Sequence, residues 1–151
     1  MVKKAIIITI LISLLIAVRI FQYDLFYDPF LYYFKFSYLS DSGLPEFSWF
    51  KMTLFLFIRY AINTVISLGI IYTLFKNKDL LKFSIATYSI AFLVLIPIYY
   101  YYINIEFEGG YLAAFYVRRF LIQPLLLFLL VPAFFYQQKV VEKEESKSEI
   151  K

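Results

Sequence analysis

Four apolar stretches, at about 5–23, 49–75, 80–102 and 111–136, constrain the fold of this chain more than any other feature. Each reaches the roughly 20 residues that span about 30 Å of hydrocarbon at about 1.5 Å of rise per residue. Backbone groups inside a bilayer have no water to bond, so each stretch is expected to close its own hydrogen bonds as a helix. The sequence therefore predicts an all-α integral membrane protein. Its expected plan is a four-helix transmembrane bundle over residues 1–141 and a charged tail over 142–151. Composition agrees: of 151 residues, 62% are hydrophobic and 17% charged. Soluble domains have about 45–50% and about 25%, and a globule this small has too little interior for the excess.

Lys3 and Lys4 precede the first stretch, as in a secretory signal. The apolar run outlasts a signal's core, however, and no small-x-small cleavage pattern precedes Gln22–Asp24, so a retained helix is expected. The flanking charges give an orientation. Lys3 and Lys4 mark the N-terminus, Lys76, Lys78 and Lys82 the second link, and Lys139, Lys143, Lys147 and Lys151 the tail, where four glutamates dilute them. The other two links are acidic: Asp24, Asp28, Asp41 and Glu46 against Lys35 in the first, Glu106 and Glu108 in the third. Both termini are expected inside. The tail has little to bury and is expected to be frayed helix or disorder. The short second link predicts an antiparallel hairpin. Pro97, Pro124 and Pro132 are each expected to kink a helix.

The first outer link is unusual, because eight of the thirteen residues 26–38 are aromatic. Such rings favour the headgroup level. Asp28 followed by Pro29 reads as a helix start, so an interfacial helix is expected over about 30–38, lying on or dipping into the outer face.

The arginines are placed differently from the lysines. The 11 Lys lie in tails, links or segment ends, whereas Arg19, Arg59, Arg118 and Arg119 lie inside apolar stretches. Helix rise puts Arg19 about 21 Å from the inner edge, Arg59 about 15 Å from the outer edge, and Arg118 and Arg119 about 11–12 Å from it. All four fall in the outer half or near the midplane, where an unpartnered guanidinium costs at least a few kcal/mol. A shared polar site is therefore expected. Arg59, Asn63 and Ser67 recur every fourth residue on one helix face, as do Arg119 and Gln123, while Arg118 points about 100° away from Arg119. Three readings of the cluster stand. Rim carboxylates from Asp24, Asp28, Glu106 and Glu108 fold inward and pair with it. It clamps an anionic group, such as a lipid phosphate or a C-terminal carboxylate, with bidentate arginines. Or it meets polar groups of another membrane protein.

The chain has no Cys and no His, which removes disulfides, thiol nucleophiles, histidine bases and the usual zinc sites. No recognised metal spacing exists among the 11 acidic residues, and no cofactor is expected. The net charge of +4 is explained by topology rather than by nucleic acid.

Three stretches carry a resemblance. One is Arg19 with Phe26-Tyr27-Asp28-Pro29-Phe30 and the aromatic run ending in Phe34-Lys35. The second is Arg59-Tyr60-Ala61-Ile62-Asn63-Thr64 with Ser67-Leu68. The third is Phe115-Tyr116-Val117-Arg118-Arg119-Phe120-Leu121-Ile122-Gln123-Pro124. With the length and four-helix plan, they resemble the small membrane proteins associated with the exosortase F system of the Bacteroidetes. The resemblance implies a multi-pass protein of the bacterial inner membrane, accessory to an exosortase-type enzyme that processes proteins bearing a C-terminal sorting segment. That enzyme uses a cysteine with histidine and arginine nearby, so a chain without Cys or His does not share its chemistry. The family is named for its genetic company, and no catalytic residue carries over.

The leading expectation is thus a non-enzymatic accessory or scaffold subunit, with membrane lipids and the sorting enzyme as partners. The alternative is an intramembrane binder of an anionic headgroup or substrate carboxylate through Arg19, Arg59, Asn63, Arg118, Arg119 and Gln123. An enzyme with Asp28 or Glu106 as base lacks a credible nucleophile. A channel would require an oligomer, and its arginines would favour anions.

Overall fold

A computed structural model describes residues 2–37, 45–107 and 111–149. Among these, all regular structure is helical. The elements are α1 (Val2–Ile20), α2 (Gln22–Leu25), α3 (Pro29–Tyr32) running into a π-helical turn (Tyr33–Ser37), α4 (Trp49–Phe75), α5 (Lys78–Asn104), α6 (Tyr111–Ile122) and α7 (Leu125–Glu149). Three helical stretches are long and apolar enough to cross a membrane: Trp49–Phe75, Lys78–Asn104 and Leu125–Ser146. Helix α1 is largely apolar between Ala5 and Val18 but carries Lys3, Lys4 and Arg19, and it is not one of the three.

Helix α4 is the hub. It buries Met52, Leu56, Arg59, Tyr60, Asn63, Ser67, Ile70 and Ile71, a spacing of three and four that keeps them on one face. It ends at Lys76, whose left-handed backbone (φ 50°) lets its N–H donate to the Tyr72 carbonyl, a common C-terminal stop. Asn77 then caps α5, its side chain accepting from the Asp79 and Leu80 amides at 2.8 and 3.4 Å. This tight turn sets α5 against α4. Helix α1 buries none of its residues and lies along α4. There Lys4 Nζ donates to the Leu74 carbonyl at 2.7 Å, and Leu11 sits over Gly69. The start of α1 therefore meets the end of α4. Phe134 and Phe135 of α7 pack against Phe75 at that same end, the first edge-on and the second tilted.

Large apolar side chains cover the outside. Val65, Leu93 and Phe128 are each about 70% exposed, at 69%, 70% and 69%. Water would penalise such a surface by about 25 cal/mol per Å², whereas lipid tails are as apolar as the residues themselves.

One local expectation needs correction and two are narrowed. The stretch 111–136 is not one kinked helix: α6 ends at Ile122 and α7 begins at Leu125. Pro124 has no N–H to give and disfavours helical geometry at Gln123, so the chain breaks there. Helix α5 runs through Pro97, and α7 through Pro132. Secondly, of the frayed helix or disorder expected for the charged tail, helix is what continues, to Glu149. Thirdly, the aromatic link, expected to lie on or dip into the outer face, dips into the bundle while Tyr27 and Tyr32 stay exposed. Phe30 is fully buried, ringed by Phe34, Phe47, Tyr99 and Phe107 at 5.1–6.3 Å between centroids. Asp28 holds the cap position of α3, but its side chain makes no capping bond there.

Candidate functional site

The Asp28 carboxylate is turned toward two arginines instead. Arg118 of α6 donates from Nη2 to Asp28 Oδ2 at 2.5 Å. Arg59 of α4 lies 3.6 Å from the same oxygen, and its Nη2 donates to Gln22 Oε1 at 2.6 Å. Both arginines are buried, at 2% and 3% exposure. Aromatic faces cover them: Arg59 lies 5.5 Å from the Phe26 ring and Arg118 5.6 Å from the Phe34 ring, contacts worth about 2 kcal/mol when dry. One carboxylate thus serves two guanidinium groups and leaves one excess positive charge. The Nε atoms of Arg59 and Arg118 and the Nη1 of Arg59 have no hydrogen-bond partner among the described residues. A pocket of about 10 Å³ bordered by Asp28, Arg59 and Tyr99 is at the lower limit for a single water.

One turn below Arg59, Asn63 Nδ2 donates to the Ile122 carbonyl at 3.0 Å. This bond serves the last residue of α6, where the Pro124 break ends the helix. Ser67, two turns below Arg59, is fully buried.

Arg118 also borders a cleft of about 500 Å³ between α1–α2, the π-helical turn and α6. Its lining carries four cations, Arg19, Lys35, Arg118 and Arg119, and two carboxamides, Gln22 and Gln123. No carboxylate lies among the described residues that line it. Arg119 Nε donates to Gln123 Oε1 at 3.1 Å. Lys35 Nζ donates to the Tyr23 hydroxyl at 3.2 Å and lies 5.6 Å from that ring. Arg19 is exposed and makes no hydrogen bond or ion pair among the described residues. Like charges set around one space repel, and in a medium of low dielectric constant an anion placed among them relieves that repulsion strongly.

Below the cleft runs a second cavity of about 470 Å³. Ile8, Ile12 and Ile16 of α1, Ile70 of α4, and Phe128 and Val131 of α7 line it. Arg19 and Gln123 line both spaces, so the cationic cleft and the apolar groove adjoin.

Of the residues singled out by sequence, Arg59, Asn63, Arg118 and Asp28 meet in the buried node. Arg19, Arg119 and Gln123 border the cleft. Asp24 and Glu106 are exposed and make no ion pair with an arginine among the described residues. Glu108 lies outside the described residues. Sequence reasoning missed Lys35, Gln22 and Tyr99. Gln22 had a signal, since it follows Arg19 by three residues. Lys35 had only its place as the single cation in an aromatic run. Among the described residues, no group of three or more metal-binding side chains comes together. Compared with protein-family models, with curated proteins and with solved structures, the chain matches none of them.

Proposed function

We propose that this chain is a multi-pass membrane protein that binds an anionic group in its outer half, in the cleft of Arg19, Lys35, Arg118 and Arg119. The observation that carries the reading is the cleft's lining, four cations with no described carboxylate among them, beside a node already one carboxylate short. The proposed topology has four crossings: α1 outward, α4 inward, α5 outward, and α6 with α7 inward. Three lines of placement support it. Lys4 reaches Leu74, Phe75 packs edge-on with Phe134, and Lys76, Lys78 and Lys82 lie at that same end, the one expected inside. The aromatic link is then the outer plug, and the cleft opens beside it. The proposed setting, supported by the three stretches quoted above, is that of a non-enzymatic accessory to an exosortase-type sorting enzyme in a bacterial inner membrane.

The test is thermal unfolding of the purified protein in neutral detergent with glycerol 3-phosphate, against glycerol at matched ionic strength. Ligand binding to the native state raises its stability by RT ln(1 + [L]/Kd). The melting temperature is expected to rise with the phosphate ester alone, and the rise is expected to vanish in Arg19→Ala/Arg119→Ala. Both side chains are exposed, so their loss leaves the fold intact. Equal melting temperatures with ester and glycerol would overturn the reading.

A further inference from the structure

We infer that the cleft and the groove form one site for an anionic phospholipid, the phosphate in the cleft and one acyl chain in the groove between α1 and α7. The inference rests on the anion-binding reading and specifies its ligand. Arg19 and Gln123 stand at the junction of the two spaces. Above them cations and amides stand among aromatic and aliphatic side chains, and below them, Asn63 apart, the lining is aliphatic and aromatic. This is the polarity profile of a single amphiphile. The two volumes, about 470 and 500 Å³, each lie within the usual ligand-pocket range of about 300–1,000 Å³. From Ile8 to Arg19 the α1 side of the groove extends about 16 Å.

The fold explains why the groove exists. Helix α1 leans on α4 through Leu11 and Lys4 and buries no residue of its own. Its other side therefore faces α7 across a gap. Gln123, Pro124 and Leu125, where α6 gives way to α7, line the mouth of that gap. Ile12, Ile16 and Phe128 are 45%, 53% and 69% exposed, so the groove is open sideways to surrounding lipid, and a chain enters from the bilayer without crossing water.

Charge decides the headgroup. Asp28 already shares out its single charge between Arg59 and Arg118, which leaves Arg19 and Arg119 facing the ligand. A choline or ethanolamine headgroup brings a cation into a cleft whose described lining offers none of the carboxylates it needs. A glycerol headgroup brings hydroxyls, which Gln22 and Gln123 can bond. The expected preference is for phosphatidylglycerol-like lipids over zwitterionic ones.

Native mass spectrometry of the full chain in neutral detergent tests this with an equimolar mixture of phosphatidylglycerol and phosphatidylcholine. The chain is expected to retain one phosphatidylglycerol in preference by about tenfold or more, since phosphatidylcholine brings an ammonium into the cationic cleft and phosphatidylglycerol does not. Arg19→Ala/Arg119→Ala is expected to abolish the preference. Two groove-filling variants, Ile12→Trp and Val131→Trp, are expected to lose the lipid yet keep the thermal shift with glycerol 3-phosphate. Equal retention of both lipids, or undiminished retention in both groove variants, overturns the two-part site. If the thermal shift with glycerol 3-phosphate persists in that case, anion binding stands without the lipid. If that shift is absent too, both proposals fail.

Discussion

Arg118 and Asp28, 90 residues apart in sequence, share the shortest ion pair among the described residues, with Nη2 and Oδ2 2.5 Å apart. This contact fastens the start of the aromatic link to α6. Through the same oxygen the link is also fastened to Arg59 of α4, the hub helix. The residue best placed to cap α3 has given up that role for two guanidinium groups. A charge-assisted bond to arginine is roughly twice as strong as a neutral one, which accounts for the choice.

Loss of Asp28 should therefore be felt far beyond the link. In Asp28→Asn two buried arginines lose their shared counter-charge, and breaking such a pair costs about 3–5 kcal/mol. Asp24→Asn, at an exposed position, is the control and is expected to stay within about 0.5 kcal/mol of the parent. Denaturant unfolding in detergent measures both.

Arg59→Lys keeps the charge and is still expected to destabilise. Arg59 serves Gln22 through Nη2 while Nη1 faces Asp28. A single ammonium cannot reproduce that planar fork. A loss of about 1–3 kcal/mol is expected from the partners left unmet, read from the same unfolding curves.

The break between α6 and α7 makes its own prediction. Asn63 is the side chain that serves the Ile122 carbonyl. Asn63→Leu, similar in size and without the donor, is expected to cost about 1–3 kcal/mol. Hydrogen exchange should report it as faster opening at the end of α6, with α5 unchanged. Uniform loosening of the whole chain would contradict this assignment.

Gly69 should tolerate a methyl group and little more. A Cβ there would lie 3.4 Å from a Leu11 methyl, which is ordinary contact. Gly69→Ala is expected to be near neutral, whereas Gly69→Leu should push α1 away from α4. The chain has no cysteine, so an introduced pair across α1 and α4 reports the separation directly. Its oxidative cross-linking should survive the alanine change and fail in the leucine variant.

How much of this was legible beforehand differs from residue to residue. A spacing of four places Arg59, Asn63 and Ser67 on one face of α4, and all three are buried. The apolar period could not tell a kink at Pro124 from a break. A kink at Pro124 frees only the Phe120 carbonyl, whereas the break also frees that of Ile122, which Asn63 serves. The aromatic run from 26 to 38 announced a helix but not its depth. Phe30 is buried because Phe47, Tyr99 and Phe107 converge on it from other elements, and such convergence has no local signature. Lys35 reaches the cleft for the same reason: the π-helical turn carries it back beside α1 and α6.

The central claim is that the cationic cleft holds an anionic group, carried by a lipid whose chain lies in the adjoining groove. Its most direct measurement is the mass of the intact chain extracted in mild neutral detergent from its own membrane. The expected result is one anionic phospholipid bound per chain, absent from Arg19→Ala/Arg119→Ala extracted in the same way. A bare chain, or lipids retained in the same proportions as in the membrane, would contradict it.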